Sequence, residues 1–482
     1  MNTNATGAEP STNKSVIIVC MLAALAGLLF GIDTGVIAQA QDFIKSTLNL
    51  TTQQLSLVVG SMLGGACFGA IFSGFLTKKI GRKMSLFVGA ILFLAGALGC
   101  AFAWNATSLI LFRIIVGLAI GVASFTAPLY LSEIAPKSIR GSMISLYQLM
   151  ITIGILTAFI VNSAIYKDTF QEGITVGTAT DYMFSVENSW RYMLGFSVIP
   201  ALLFLIGMFF LPRSPRWLVS VGRNDHAREV LHKIRSTETE AENEYREINE
   251  TVQASAAKKT NGFELFTKNG NFRRSVSLGM ILQIMQQLTG INVIMYFGPK
   301  ILENAGFSTT FASSWGTIIL GLTNVLATFI AIYLVDRAGR KPILLTGFIL
   351  MAISLTAVAC LMNVAGAAVI TFGFILLFII SFAFSAGPLI WVLCSEIQPL
   401  NGRDFGITCS TGTNWGVNMI VAYTFLQLLD GLGANVTLGL YAAFCIASIF
   451  ITMFFVPETK GVSLEHLEKN LYNGVPLKDL GK

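Results

Sequence analysis

Long apolar runs, separated by short polar segments, recur along the whole chain. Twelve of these runs are long enough to cross a bilayer as helices. They lie near residues 16–40, 54–77, 84–103, 107–131, 141–164 and 193–211, then 274–299, 312–335, 342–363, 368–395, 405–429 and 436–456. The pattern predicts an all-α polytopic membrane protein with twelve transmembrane helices.

A charged segment interrupts this pattern between the sixth and seventh runs. It is dense in Glu, Lys and Arg, which favours short amphipathic helices outside the membrane. We therefore predict an N-terminal six-helix half over residues 1–211, a cytoplasmic helical linker over 212–272, a C-terminal six-helix half over 273–457 and a cytoplasmic tail over 458–482.

Short motifs of the first half recur in the second half in the same order. IGRK at 80–83 returns as AGRK at 338–341, SEIAP at 132–136 as SEIQP at 395–399, and GID at 31–33 as GIN at 290–292. Repeated halves are typical of secondary transporters, whose binding site lies near the midplane between the repeats. We expect a central site between the two halves.

Composition and charge agree with a membrane protein. Only 12% of the residues are charged and 54% are hydrophobic. Lys and Arg concentrate after even-numbered runs, as at 78–83 and 337–341, which predicts that these loops and both termini are cytoplasmic. The loop over 166–190 is then external. The net charge of +6 belongs to the loops and does not indicate nucleic-acid binding.

The sequence contains no motif of an enzyme or of an ATP-driven pump in a suitable context. No Walker loop, HExxH, CxxC or GxSxG motif stands where it could act. The seven cysteines are scattered through apolar segments, so we expect buried thiols and neither disulfides nor metal ligands. The sequence predicts a protein that is not an enzyme and has no cofactor.

Two ionisable residues lie deep inside predicted spans: Asp33 in the first and Arg113 in the fourth. Such residues usually mark a pathway or a proton relay. Burial favours the neutral acid, whereas a nearby guanidinium favours the carboxylate, so Asp33 could gain and lose a proton. A permanent ion pair between the two spans would also explain the pattern. So would two side chains that extend their charged ends to the membrane–water interface.

The seventh span carries uncharged polar side chains around Gly290. Gln283, Gln286, Gln287 and Asn292 have spacings that place them on neighbouring helix faces. They could hold a small polyhydroxylated solute, or they could join packed helices.

The tenth and eleventh spans carry aromatic residues beside helix-breaking or amide residues. Gly387 and Pro388 should break the tenth span before Trp391, and Trp415 stands beside Asn414. An aromatic ring beside an amide suits a sugar, although tryptophans near span ends can also be interfacial anchors.

Charged residues repeat at the cytoplasmic ends of the spans. We expect Arg82 to pair with Glu133 and Arg340 with Glu396, as latches that close when the cytoplasmic side closes. Arg140 and Arg403 lie next to these pairs in sequence. Solvated end charges of little energetic value are the alternative interpretation.

The chain resembles the sugar porter family of the major facilitator superfamily over nearly its whole length. The matching motifs are IGRK, DRAGRK, PRSPRW, QQLTGIN, GPLIW and PETKG. Segments such as TAPLYLSEIAP and SMISLYQLMITIGIL are similar to the bacterial galactose–proton symporters, and arabinose–proton symporters are only slightly less similar. The resemblance implies the major facilitator fold.

The resemblance also implies roles for single residues. Asp33 matches the proton-binding aspartate, with Arg113 as its partner. The matching sugar contacts are Gln148, Gln286, Gln287, Asn292, Asn324, Trp391 and Asn414, and the pocket or gate aromatics are Phe30, Tyr296 and Trp415. Two positions depart from the family pattern: Arg213 replaces a glutamate, and Phe297 replaces the second of two tyrosines.

We therefore expect a proton-coupled symporter that imports a hexose, galactose and also glucose, across the bacterial inner membrane by alternating access. The expected partners are a monosaccharide, a proton and the lipid bilayer, and the expected state is a monomer. An arabinose or pentose symporter, a facilitative uniporter and a membrane sugar sensor stay open as alternatives.

Overall fold

Helices make up almost all of the chain that the structure describes. The computed structural model describes residues 14–136, 139–169, 186–257, 262–334, 337–399, 402–462 and 464–482. Within these ranges there is no strand. The prediction of an all-α fold is confirmed.

The first half of the chain supplies six membrane-crossing segments. They are formed by α1 (Lys14–Thr47), α2 (Thr52–Ile80), α3 (Arg82–Ala101), α4 (Ala106–Ile134), α5 (Arg140–Thr169) and the pair α6 (Val186–Gly195) and α7 (Val198–Phe210). These helices extend beyond most of the predicted apolar runs, because their end turns contain polar residues. Most of the predicted external loop, residues 170–185, lies outside the described residues.

The second half supplies a matching set of segments with more interruptions. They are α12 (Gly270–Leu288) with α13 (Ile291–Asn304), α14 (Thr309–Phe311) with a π-helical turn (Ala312–Gly316) and α15 (Thr317–Leu334), α16 (Arg340–Leu361), α17 (Ala368–Phe384) with α18 (Ala386–Glu396), and α19 (Arg403–Phe455).

Eleven helices of the described chain are long and apolar enough to cross a membrane. The last of them, α19, is 53 residues long and is interrupted at Gly433, whose φ of 80° and ψ of 165° are not helical. Division at this glycine gives twelve membrane-crossing segments. The protein is therefore a multi-pass membrane protein with the predicted number of spans.

The bundle has a basic side and an opposite side. The basic side is the end that carries Arg82 and Arg340, which begin α3 and α16. The opposite side is the end that carries Thr47 and Asn304, which end α1 and α13.

Glycines allow the closest helix contacts in the first half. A Cβ at Gly121 of α4 would collide with the Ala66 carbonyl oxygen of α2 and lie 2.7 Å from the Ala70 nitrogen. A Cβ at Gly31 of α1 would likewise collide with the Ile151 carbonyl oxygen of α5. Because apolar burial does not drive helices together in lipid, such close backbone packing is what holds them.

The segments outside the membrane form helices against the basic side. The predicted linker contains α8 (Pro215–Ser220), α9 (Asn224–Ile234), α10 (Glu238–Ala257) and α11 (Gly262–Lys268), and the tail contains α20 (Leu464–Tyr472). Buried Arg235 binds both oxygens of Glu244 and donates to the Ile134 carbonyl at 2.9 Å. The linker is thereby attached to the last turn of α4.

The glycine contact between α2 and α4 gives a first prediction. Gly121→Ala should destabilise the protein by about 1–3 kcal/mol, because the methyl group meets backbone atoms that cannot move aside. Thermal unfolding of the purified protein in detergent measures the loss. Gly373→Ala in α17 is the matched control, since a Cβ there meets nothing within 4 Å. Equal stability of the two variants would contradict the packing argument.

Candidate functional site

Asp33 and Arg113 form a buried ion pair between α1 and α4. Arg113 donates from Nη1 to Asp33 Oδ1 at 2.7 Å and from Nε to the Val58 carbonyl at 3.4 Å. Asp33 is 4% exposed and Arg113 is fully buried. Asp33 Oδ2 and Arg113 Nη2 have no hydrogen-bond partner among the described residues. One carboxylate oxygen is therefore available to accept a proton.

Three amides of the second half form a buried cluster between α12 and α19. Asn414 donates from Nδ2 to Gln283 Oε1 at 2.6 Å and to Gln286 Oε1 at 2.8 Å. Gln286 donates from Nε2 to the carbonyls of Ala386 and Gly387, at 2.8 and 3.1 Å. These carbonyls belong to the first turn of α18, where the tenth span is interrupted. Gln286 thus joins the amide cluster to the predicted helix break.

A second amide pair surrounds the break between α12 and α13. Gly290 adopts φ 84°, which an L side chain rarely tolerates, and it ends one helix and begins the next. Asn292 donates from Nδ2 across this break to Gln287 Oε1 at 2.7 Å. Gln287 is buried and Asn292 half-buried, so both amides face the interior of the bundle.

Aromatic side chains connect the two halves beside these amides. Phe30 of α1 contacts Trp415 of α19 edge to face, with ring centroids 5.1 Å apart. Asn418 donates from Nδ2 to the Tyr296 hydroxyl at 3.4 Å. Trp415 Nε1 and Asn418 Oδ1 are buried without a partner in the described chain. A donor and an acceptor are thus left free for a ligand hydroxyl.

Three predicted contacts are not hydrogen-bonded to this cluster in the described part of the chain. Gln148 is half-buried on α5, Asn324 is buried on α15, and Trp391 on α18 is 37% exposed. Among the described residues, no hydrogen bond joins their side chains to the amides above. Phe297, which replaces a family tyrosine, packs on Phe425 with a centroid distance of 4.9 Å.

The predicted charge pairs of the basic side are both present, each within its own half. Arg82 binds Glu133 Oε1 through Nε at 3.1 Å and Nη2 at 2.8 Å. Arg340 donates from Nη2 to Glu396 Oε1 at 3.0 Å. The role of these pairs as latches is a prediction that the geometry allows but does not test.

Each of these glutamates has a second partner that the sequence argument missed. Ser214 donates to Glu133 Oε2 at 2.5 Å, and Thr459 donates to Glu396 Oε2 at 2.5 Å. Both hydroxyls follow the last span of their half, in PRS and PET. This repeat of a proline, a charged residue and a hydroxyl was the signal that could have revealed them.

The charged residue in the middle of this repeat differs between the halves. Glu458 accepts from the backbone nitrogens of Arg340 and Lys341, at 2.9 and 3.0 Å, and so caps the start of α16. Burial opposes this ionisation, but the backbone donors prevail and hold the pKa of Glu458 below its ordinary value. Arg213 stands at the matching position of the first half and repels Lys83 near the start of α3.

The remaining predicted latch residues are differently placed. Arg403 donates from Nη2 to the Ser395 carbonyl at 2.7 Å, close to the Arg340–Glu396 pair. The Arg140 side chain lies outside the described part of the structure. Lys78 and Asp404 form an ion pair of 3.1 Å between α2 and α19, but both side chains are 67% exposed. This bridge therefore contributes little to stability.

Two surface cavities, of about 470 and 480 Å³, lie away from the polar centre. They are on the opposite side, one beside Lys300 and Asp430 and the other beside Asp42 and Lys45. Neither contains a predicted site residue. Within the described ranges, no group of three His, Cys, Asp or Glu side chains is placed to hold a metal ion.

Comparisons with known proteins found a family model and relatives that match nearly the whole chain. The family model described as "Sugar (and other) transporter" matches residues 19–471. The chain is 54% identical to the galactose-proton symporter of Escherichia coli K12, over 98% of this chain and 97% of that protein. It is 47% identical to the arabinose-proton symporter of the same strain, over 98% of this chain and 96% of that protein.

A solved structure shows the same fold. The E. coli xylose transporter XylE, in a partially occluded inward-open conformation, superposes with a TM-score of 0.79. It is 29% identical, and the match covers 94% of this chain and all of that one.

The amide cluster yields a second prediction. Gln286→Leu should destabilise the protein by about 1–3 kcal/mol, because it removes three buried hydrogen bonds: two to the carbonyls of Ala386 and Gly387, and one from the Asn414 amide. Gln287→Leu should cost less, since its partner Asn292 is half-buried and can be solvated. Thermal unfolding of both purified variants measures the difference. A loss for Gln287→Leu as large as that for Gln286→Leu would refute the bridging role of Gln286.

The unmatched Arg213 yields a third prediction. Arg213→Glu should stabilise the protein by about 0.5–1 kcal/mol, because a carboxylate would cap α3 as Glu458 caps α16. The measurement is the unfolding midpoint of the purified protein. Arg216→Glu makes the same change of charge at an exposed neighbouring position and serves as the control. The cap is excluded if both variants change stability equally.

Proposed function

The chain belongs to the sugar transporter family of the major facilitator superfamily, and from this we propose that it imports a monosaccharide together with a proton by alternating access. The observation that carries the proposal is the buried Asp33–Arg113 pair with its unpartnered carboxylate oxygen. Phe30 lies one helical turn before Asp33 and contacts Trp415, so the same helix reaches both the ion pair and the amide-lined centre.

Asp33 is the proposed proton carrier. Protonation of Oδ2 would remove the negative charge and weaken the 2.7 Å bond from Arg113. Arg113 would keep its bond to the Val58 carbonyl on α2. Loss of one partner of a buried ion pair costs about 3–5 kcal/mol, because the other charge is left unpaired. Protonation of Asp33 would leave Arg113 in that position, which favours a shift of α1 relative to α4.

The amides and aromatic rings between the halves are the proposed sugar site. Gln286, Gln287, Asn292 and Asn414 offer donors and acceptors to hydroxyl groups, and the Trp415 ring suits a C–H face. The free Trp415 Nε1 and Asn418 Oδ1 are the atoms that a bound sugar would satisfy. Gln148, Asn324 and Trp391 are proposed to complete the site when the halves rearrange.

Orientation completes the proposal. The positively charged basic side is assigned to the cytoplasm, which places both termini inside a bacterial inner membrane. Release of the Arg82–Glu133 and Arg340–Glu396 pairs would open that side. The protein is proposed to act in the lipid bilayer as a monomer made of two six-helix halves.

Galactose is the preferred substrate in this proposal, with glucose as a second one. It is supported by the relative at 54% identity, which is named a galactose-proton symporter. Arabinose is the second candidate, because the relative at 47% identity is an arabinose-proton symporter. Competition of labelled galactose uptake by unlabelled glucose, arabinose and xylose separates these candidates.

Proton coupling can drive accumulation. A proton that moves inward releases about 2.3 kcal/mol of free energy per 100 mV of membrane potential and about 1.4 kcal/mol per pH unit. A facilitative uniporter with the same fold would use neither source of free energy. Only symport predicts that the medium becomes alkaline when sugar is added to de-energised cells.

Asp33→Asn gives the fourth prediction. This variant should lose accumulation of labelled galactose against a gradient, because an amide cannot carry the proton, while exchange across the membrane continues. Uptake and exchange in membrane vesicles with an imposed pH gradient measure the two activities. Asp430→Asn removes a carboxylate from the surface instead and should accumulate galactose normally. If the Asp33 variant still accumulates galactose, the proton role is wrong.

A further inference from the structure

Two glutamines of α1, Gln39 and Gln41, stand beyond Asp33 toward the opposite side. The sequence pattern assigns no function to their motif, IAQAQ at 37–41. In the structure both amides are buried, at 2% and 5% exposure. Buried amides in a membrane bundle are costly unless they have partners. Their partners therefore show what these two residues do.

Gln39 connects the first half to the second half. Its Nε2 has three acceptors: Ser163 Oγ at 3.0 Å on α5, Thr317 Oγ1 at 2.9 Å on α15, and the Ser313 carbonyl in the π-helical turn. An amide nitrogen carries only two hydrogens, so these acceptors share them. One side chain thus joins α1, α5 and the eighth span.

The segment that Gln39 contacts is itself unusual. Residues Ala312–Gly316 form a π-helical turn inside an apolar span. Such turns are rare and occur frequently at functional sites. The Ser313 carbonyl lies inside this turn and points to Gln39, so the turn and the glutamine form one contact.

Gln41 makes a second connection between the halves. Its Nε2 donates to the Tyr296 carbonyl of α13 at 2.8 Å. The next residue, Phe297, has non-helical angles of φ −119° and ψ 20°, which mark a kink in α13. Both glutamines therefore bind the second half where its helices are irregular.

We propose that Gln39, supported by Gln41, is the latch that closes the transport pathway on the opposite side. While the pathway is closed there, the buried Ser313 carbonyl accepts from the Gln39 amide and, at 3.5 Å, from the Ser163 hydroxyl. When the halves separate on that side, water enters and forms hydrogen bonds with the Gln39 amide and with the Ser313 carbonyl in place of the bond between them. Because one hydrogen bond is exchanged for another, the latch can open and close at small free-energy cost.

This latch differs from the ion pairs of the basic side. Arg82–Glu133 and Arg340–Glu396 each lie within one half, whereas Gln39 and Gln41 bridge the halves. The inference rests on the alternating access of the proposed function. Gln39 is a positioning residue in it and touches neither the proton nor the sugar.

Gln39→Leu tests the latch, because leucine has a similar size but cannot donate. Spin labels at Ser46→Cys and Thr309→Cys report the separation of the halves on the opposite side, since both positions are exposed. The accessible cysteines Cys67, Cys360 and Cys409 are first replaced by alanine. Electron–electron double resonance should show a longer distance in the variant, with the open-to-closed ratio raised about tenfold, which equals about 1.4 kcal/mol.

The matched control is Gln427→Leu. This glutamine is a half-buried amide of α19 whose Nε2 has no partner among the described residues, so its loss breaks no bond between the halves. Thr317→Val removes one acceptor of Gln39 and should shift the distances in the same direction by a smaller amount. It keeps the test decisive if Gln39→Leu does not fold.

Uptake kinetics give a second readout. A more populated open state should lower the KM for sugar on the opposite side while Vmax falls, because closing becomes harder. Unchanged distances, an equal shift in Gln427→Leu, or a lower Vmax at unchanged KM would overturn the latch. The distances need neither sugar nor proton, so a shift in them without coupled uptake would support the latch and reject the proposed function instead.

Discussion

Polar atoms inside a membrane bundle cannot form hydrogen bonds with water, so they must pair with each other. These pairs determine which helices of this chain meet. Asp33 is stable in the interior because the Arg113 guanidinium binds its carboxylate directly. Gln286 is likewise paired in the interior, since it donates to two carbonyls in the first turn of α18, beside the interruption of the tenth span. A broken helix is therefore tolerated where an amide from a neighbouring helix reaches the break, and the same amides are the groups a polar solute could use.

The repeat of two halves makes their differences informative. GID lies in the uninterrupted α1, where Gly31 touches the backbone of α5 and Asp33 binds Arg113. GIN lies at a helix break, where Gly290 has a positive φ and Asn292 binds Gln287. The same three positions thus hold a charge in one half and neutral amides in the other. This division agrees with the proposal that the first half carries the proton and the second half carries most of the sugar contacts.

The membrane spans and the main ion pairs could be predicted from the sequence. The spans follow from the apolar runs, and the ion pairs follow from the rarity of charged residues in lipid. The pairing of Asp33 with Arg113 was predictable, since no other charge lay deep enough to compensate either one. The bond from Gln286 to α18 was not predictable, because periodicity gives the face of a helix but not the neighbour that meets it. The bonds of Gln39 to a π-helical turn were hidden for the same reason, together with the local irregularity of the turn.

The two ends of the bundle are held by different chemistry, and this bears on how they could move. On the basic side the Arg82–Glu133 and Arg340–Glu396 pairs are each completed by a hydroxyl that follows the last span of the same half, as with Ser214 on Glu133. The Lys78–Asp404 pair crosses between the halves there, but it is exposed and contributes little. While they are formed, the two buried pairs stiffen each half as a unit, and their proposed release would loosen each half when that side opens. On the opposite side the buried bonds of Gln39 and Gln41 cross between the halves. Neutral amides exchange protein partners for water at less cost than buried charges do. A transporter that must open and close repeatedly is therefore better served by rigid, ion-paired halves joined through amides than by ion pairs at the moving contact.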